Sequence, residues 1–512
     1  MKLNLIVWLS ISLLLVLVSS CAEDQLPFED RSVSESRTAR IALSDDESTE
    51  LKREFATALA KALKESQSLR NLLKIKSLEM IDEDYDVLYQ LIKNEKIEND
   101  LSVKELITKH IKNKGKLQVI EAKLPTLTIF VPDLPMGSFS AQSWDVEQQI
   151  PRVGVKLNKS NDVPIIDADG KEFVLEGKYM PGFPVVVVKE SLRIIERSHP
   201  MYGKRITKNK ISTSDGLEFQ FIDDAFDRKL NLHKKGARAG AASTFDSKVI
   251  NAYNIFLNTG NWHRDHIYYD LTNTQDKGAF NPDFEETITT FSMGDDPVGS
   301  YNRIADQTDD PHVQGSSSTV QNSFWTSGSF SFKVKILVNG RNGVGSEILK
   351  YFPVSPSQLF HVGYTRRDGG NPYYFPRIDY SKEVRLNIPV FKWDLNQYST
   401  SIKISVEEED FNTTTQLSES TVSTFAANFS IDGGVLKKIG LKFGASNQTQ
   451  NTVSYTKSYT QGNDELGDAI VNFYDDVITQ YEPNTIVGPA YSSKVFSGGG
   501  YYYITLEPMR AQ

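Results

Sequence analysis

The chain has 512 residues, of which 39% are hydrophobic, and its 57 Lys and Arg against 66 Asp and Glu give a formal charge of -9. At roughly 150 residues per domain that allows about three domains and a sizeable core. The acidic balance argues against nucleic acid as a partner, and a single cysteine excludes a disulfide framework, a Cys-rich zinc module and a CxxC redox site, each of which needs two thiols.

Lys2 precedes an apolar run over residues 5–18. At ~14 residues the run is short of the ~20 needed to span a bilayer as a helix, so residues 1–20 read as a signal peptide. It ends Val18-Ser19-Ser20-Cys21, which resembles the lipobox of bacterial lipoproteins, where the cysteine is diacylated and becomes the new N-terminus. The acidic pair Glu23-Asp24 behind it resembles the surface-export signal of Bacteroidetes lipoproteins. This resemblance covers about the first 25 residues. It implies lipidation at Cys21 and an outer-membrane protein, lipid-anchored and facing the cell exterior, with the acyl chains as its contact with the membrane.

Residues 21–47, polar and acidic, read as the lipidated cysteine and a flexible tether. Residues 48–120 read as a helical domain: Leu51, Phe55, Leu59 and Leu63 recur every four positions, and Leu69, Leu72 and Leu73, then Tyr85, Leu88, Leu91 and Ile92, extend the stripe. Asp82 is expected to cap the helix carrying Tyr85, and Ser102-Val103-Lys104-Glu105 reads as a capping box ahead of Leu106, Ile107 and Ile111. Residues 124–200 read as a small β domain with strands near 127–131, 150–155, 163–166 and 185–188. Within it, Asp167-Ala168-Asp169-Gly170 predicts a hairpin turn before Phe173-Val174-Leu175. Residues 201–325 are an irregular, loop-rich β region. From 326 to 512 the alternation Phe330, Phe332, Val334, Ile336, then Val384, Leu386, Ile388, then Ile402, Ile404, Val406 predicts an antiparallel β-sandwich, closed by a strand over 501–506 after Gly498-Gly499-Gly500. The fold class is therefore mostly β with a small N-terminal helical domain and antiparallel sandwich-like domains.

No HExxH, GxSxG, Walker loop or strand-linked GxGxxG occurs, and an acylated Cys21 cannot act as a nucleophile, which points away from catalysis. A glycosidase needs only two carboxylates at the correct separation, so a hydrolase built on Asp/Glu pairs stays open. The densest functional candidate is Trp262-His263-Arg264-Asp265-His266 with Tyr268-Tyr269. Imidazoles of His263 and His266 could share a metal such as Zn²⁺, with Asp265, Asp310 or His312 as a third ligand. Trp262, Arg264, Tyr268 and Tyr269 could instead form a ligand-binding platform, rings stacking on sugar faces and polar groups holding hydroxyls. A third reading is a strand end with Trp262, Ile267 and Tyr269 packed inward. Asp295, Asp296, Asp306, Asp309 and Asp310 share one irregular region that either takes Ca²⁺ or forms a solvated acidic loop. The run Glu407-Glu408-Glu409-Asp410 after Trp393-Asp394 carries no ligand assignment.

The Ser/Thr-rich stretch 412–461 contains an alternating run over 439–445 and a second over 453–459, with a polar tip at 446–451 between them. The pattern resembles the inserting hairpin of aerolysin-like β-pore toxins, although Lys457 falls on the face that would meet lipid, at ~2–4 kcal/mol near the bilayer midplane. Its alternative is a sandwich hairpin with one wet face. The leading expectation is a lipid-anchored cell-surface binding protein, non-enzymatic, for a glycan or a surface protein partner. An extracytoplasmic hydrolase and an aerolysin-like membrane-active oligomer are the alternatives, and no cofactor beyond Ca²⁺ or Zn²⁺ is suggested.

Overall fold

The computed structural model describes residues 45–511, apart from 99, 114, 200–201, 204–206, 208, 236–244, 260, 276–277, 306–317, 341–344, 410–417, 431–447, 461–463 and 486–487. The fold is mostly β, with several antiparallel sheets and an N-terminal helical region. The helix Asp45–Glu65 lays Leu51, Phe55, Leu59 and Leu63, all buried, against a six-stranded sheet. Each such side chain contributes about 1.5–3 kcal/mol when fully buried. Ser66 caps the next helix, Gln67–Leu78, its hydroxyl accepting the Leu69 N–H at 3.0 Å. The expected capping box is present: Ser102 Oγ accepts the Glu105 N–H at 3.2 Å, and Glu105 accepts the Ser102 N–H at 2.7 Å, opening the helix Val103–His110.

The sheet runs in the order Asp86–Leu88, Leu127–Phe130, Val185–Glu190, Arg152–Val155, Val163–Ile166, Glu172–Leu175. Its one parallel pair joins Arg152–Val155 to Val185–Glu190. Val185 to Val188 are all buried, as a strand covered on both faces requires. The hairpin at Asp167 turns as predicted, with Ile165 opposite Phe173 and Gly170 at φ 84. Two expectations change here. Asp82 caps no helix: the chain around Tyr85 is a turn leading into the short strand Asp86–Leu88, and the carboxyl of Asp82 is fully buried. The helices and the strands up to Glu190 also share one hydrophobic core, because the amphipathic helices cover that sheet, whereas Ile194 and Ile195 join a separate cluster with Phe219 and Phe221.

The second core is a β-sandwich. One sheet has the order Val384–Phe391, Phe284–Met293, Tyr502–Arg510, Val495–Gly498, and the other Gly345–Val354, Phe330–Gly340, Tyr398–Glu408, Asp464–Asn472. Phe291 of the first sheet meets Phe332 and Phe352 of the second at centroid distances of 4.9 and 5.2 Å. Strand Phe284–Met293, taken from the stretch read as loop-rich, thus stands inside the sandwich. Three smaller sheets flank these, Ile478–Thr485 with Gly488–Ser493, Ile194–Glu196 with Glu218–Phe221 and Lys210–Ser212, and Phe360–Arg367 with Tyr373–Ser381 and Met180–Pro181. The last of these ties the first unit to the second through Tyr374 opposite Met180.

A separate two-stranded ribbon pairs Ser418–Ser430 with Gln448–Thr460. Its register corrects the expected hairpin: Val453 lies opposite Phe425, Tyr455 opposite Ser423 and Tyr459 opposite Glu419, while the run 439–445 lies outside the described residues.

Candidate functional site

The chain segment Trp262 to Tyr269 does not form a strand end. His263–Tyr269 is a short helix closed by Asp270 in the left-handed conformation (φ 54), which Asp tolerates better than most residues. The helix is buried on almost every side. Arg264, fully buried, donates Nε to Glu286 Oε1 at 2.7 Å and Nη2 to Glu286 Oε2 at 3.0 Å, and its Nη1 donates to the Asp475 carbonyl at 2.8 Å. Tyr268 Oη donates to Glu286 Oε1 at 3.1 Å, and Tyr269 Oη donates to Asp394 Oδ1 at 3.3 Å while accepting the Leu395 N–H at 2.7 Å. Trp262 is partly buried against Phe473 and Tyr474. The expected binding platform is therefore corrected: Arg264, Tyr268 and Tyr269 have their polar groups satisfied inside the sandwich core, because a buried charge or hydroxyl without an internal partner would cost several kcal/mol.

The metal reading fares similarly. His263 Nδ1 accepts the Val477 N–H at 3.1 Å, and the ring lies 3.6 Å from Asp476. His266 Nδ1 donates to the Leu271 carbonyl at 3.0 Å. Burial lowers the pKa of both imidazoles. Among the described residues no three His, Cys, Asp or Glu side chains gather as a metal site. Asp265, the nearest candidate third ligand, is fully buried with neither carboxylate oxygen hydrogen-bonded, and burial pushes its pKa well above the usual range. Asp306, Asp309, Asp310 and His312 lie outside the described residues, as does Asp410. Asp296 caps the helix Pro297–Ala305 by accepting the Gly299 N–H at 2.9 Å, and Asp295 accepts the Tyr503 hydroxyl at 3.0 Å. Glu407 and Glu409 are buried against Lys335 and Lys333.

A concavity lies elsewhere, lined by residues of the first unit, by Asp223 to Asn231, by the small sheet carrying Tyr364 and Pro376, and by the sandwich. It is a cleft of 1110 Å³. Tyr301, Phe324 and Trp325 contribute rings to its lining, and Tyr85, Tyr351 and Tyr364 add three phenols. Its charged lining includes Asp84, Asp133, Arg228 and Arg385. Asp84 Oδ2 accepts the Ser329 N–H at 2.9 Å and lies 3.5 Å from Arg193, yet desolvation raises its pKa above the ordinary value. Glu83 pairs with Arg228 at 2.9 Å. Burial raises the pKa of Asp133, and burial first, then the charge of the nearby Asp133 carboxylate, raises that of Tyr364.

Backbone strain concentrates at this cleft. Met80 (φ 48), Glu83 (φ 64) and Met136 (φ 57) all line it, and each is a non-glycine residue in the left-handed region, where the cost is roughly 1–2 kcal/mol. Met136 is also 80% exposed, a large apolar side chain held out at the rim. Gly328 (φ 83) sits where a Cβ would strike the Asp84 carboxylate. Sequence reasoning did not single out these residues. Their only sequence signal was the Pro132-Asp133-Leu134-Pro135-Met136-Gly137 stretch, whose two prolines and glycine mark a rigid turn. Compared with known proteins, the chain matches no family model, no curated protein and no solved structure.

Proposed function

We propose that this protein is a lipid-anchored cell-surface binding protein whose ligand, a glycan or an exposed segment of a partner protein, occupies the 1110 Å³ cleft. The observation that carries the reading is the coincidence at one concavity of the partly exposed Tyr85 and Tyr364, the partly desolvated carboxyl of Asp133 and three strained non-glycine residues. Strained backbone of this kind clusters at binding sites, and the partly exposed rings of Tyr85 and Tyr364 beside charged groups suit sugar faces and hydroxyls. The lipidated Cys21 would hold this cleft at a membrane surface.

The test uses the soluble chain beginning at Ala22 and a panel of polysaccharides, following retardation of the protein and new reducing ends together. Tyr364→Ala and Arg385→Ala are expected to weaken retardation about tenfold or more, about 1.4 kcal/mol, while Trp262→Ala, remote from the cleft lining, leaves it unchanged. Full retention of binding by both cleft variants would refute the assignment. New reducing ends would move the reading to hydrolysis, with Asp84 and Asp133 as the carboxyls whose raised pKa suits a general acid.

A further inference from the structure

The small sheet formed by Phe360–Arg367, Tyr373–Ser381 and Met180–Pro181 lends Val362, Tyr364 and Pro376 to the cleft, and successive residues of a strand point to opposite faces, so their neighbours belong to its reverse face. There Gly363 stands opposite Arg377, Thr365 opposite Phe375 and Arg367 opposite Tyr373, with His361 opposite Tyr380 beyond a bulge. None of these residues is buried: Tyr380 is 54% exposed and the Arg377 side chain 71%. The solvent face of an antiparallel sheet is ordinarily polar, yet this one carries rings at both ends. Tyr179 lies beside Tyr373 and Phe375 at centroid distances of 4.2 and 6.1 Å, and His361 stacks on Tyr380 at 4.8 Å with 13° between the ring planes. Residues on one face of a strand recur about every 7 Å, which sets the two groups of rings roughly 20 Å apart from end to end.

The surface between the rings is flat and basic. Gly363 has no side chain, and a Cβ there would come within 3.1 Å of Arg377 Nη2, so the guanidinium lies across the glycine. Asp379 fixes it there: one carboxylate oxygen accepts Arg377 Nε at 2.7 Å and the other accepts His361 Nδ1 at 2.9 Å. A guanidinium held in one orientation loses little freedom when it binds, and it presents planar donors that match a carboxylate. Arg367 adds a second exposed guanidinium, so the face sets two positive charges against the one negative charge of Asp379, a local excess on a chain of net charge -9.

We infer that this reverse face is a binding platform, separate from the cleft, for an acidic polysaccharide, whose sugar rings lie on the two groups of aromatic side chains while its carboxylates pair with Arg377 and Arg367. Charge complementarity selects a polyanion, and flatness selects a sugar chain over a peptide. Protein partners anchor side chains in desolvated pockets, and Gly363 and Thr365 raise no wall for one, whereas an extended polysaccharide needs stacking surfaces and donors in line. The inference rests on this sheet alone and is independent of the cleft.

The test runs the soluble chain beginning at Ala22, with Arg385→Ala to weaken the cleft, through gels containing polygalacturonate, alginate, methyl-esterified polygalacturonate or polyglutamate. At least one of the two polyuronates is expected to retard the protein, less so as salt is raised, and the methyl ester and polyglutamate are not. Tyr380→Ala and Arg377→Gln should each weaken that retardation about tenfold or more. Gly363→Val should do the same although it alters no charge, because its side chain displaces the guanidinium and rises from the flat face. No retardation by either polyuronate, equal retardation by the methyl ester or by polyglutamate, or full binding by both Tyr380→Ala and Gly363→Val would overturn the inference. Restoring Arg385 should leave the retardation unchanged, and a large gain on restoring it would place the polymer in the cleft instead. Circular dichroism of each variant separates loss of binding from failure to fold.

Discussion

Arg264→Ala is the most informative single perturbation in the sandwich. The guanidinium and the Glu286 carboxylate are both fully buried and joined by two parallel hydrogen bonds, with Tyr268 Oη and the Asp475 carbonyl completing the set and Trp393 5.4 Å away across its ring. Truncation leaves Glu286 as an uncompensated charge in the core. Breaking a buried pair in this way costs about 3–5 kcal/mol, whereas replacing both members by neutral groups of similar volume is often close to neutral. Urea unfolding followed by tryptophan fluorescence should therefore show a large drop in midpoint for Arg264→Ala, and the double variant Arg264→Met/Glu286→Gln should recover most of it. Glycan retardation at a concentration where the variant is folded should be unaltered, because Arg264 supports the core and does not line the cleft. A loss below about 1 kcal/mol, or a double variant no better than the single one, would refute the assignment of Arg264 as half of a buried pair.

Two further outcomes follow from groups already described. Asp265 has a folded-state pKa raised by burial, so the unfolded chain gives up its proton first, and the stability contributed by the neutral acid is lost as pH rises from about 4 towards the folded value. Asp265→Asn should remove that loss. The stability difference between variant and wild type, measured by thermal unfolding at successive pH values, should move in the variant's favour as pH increases, and a flat difference would contradict the burial argument. Gly328→Ala places a Cβ 2.2 Å from an Asp84 oxygen at φ 83, so it should destabilise by more than the ~1–2 kcal/mol of left-handed strain alone and weaken ligand retention at the cleft. Unchanged melting and binding would mean that the Asp84 carboxylate can swing away freely.

Much of the fold was legible because its elements carry strong local signals. The i, i+4 leucines of the first helix, the Ser102 box, the Gly170 turn and the alternating Phe330, Phe332, Val334 and Ile336 each tie a side-chain pattern to one backbone geometry. The missed elements lacked such a pattern. Strand Phe284–Met293 mixes Glu286, Thr287 and Thr289 with its apolar residues, since Glu286 is there to meet Arg264. The functional reading of Trp262 to Tyr269 failed for the same reason, because a chain segment rich in aromatic and charged residues looks identical whether its partners are ligand atoms or core groups. The cleft was invisible because its lining comes from Asp84, Asp133, Trp325, Tyr364 and Arg385, scattered over some three hundred positions. No spacing rule links residues that only tertiary packing brings together.

The first hydrophobic core draws on Trp325 and Tyr374, although its helices and strands end by Glu190. Trp325 fits closely enough that a Cβ on Gly154 would come within 3.3 Å of its ring. During vectorial synthesis the leading third of the polypeptide therefore emerges with a gap in its interior, one filled only after the residues around Tyr374 have been made. Until then the nascent chain carries wet apolar surface and cannot settle into its final packing. Long-range closure of this kind slows maturation and leaves an incompletely packed chain exposed for longer than a self-contained leading domain would.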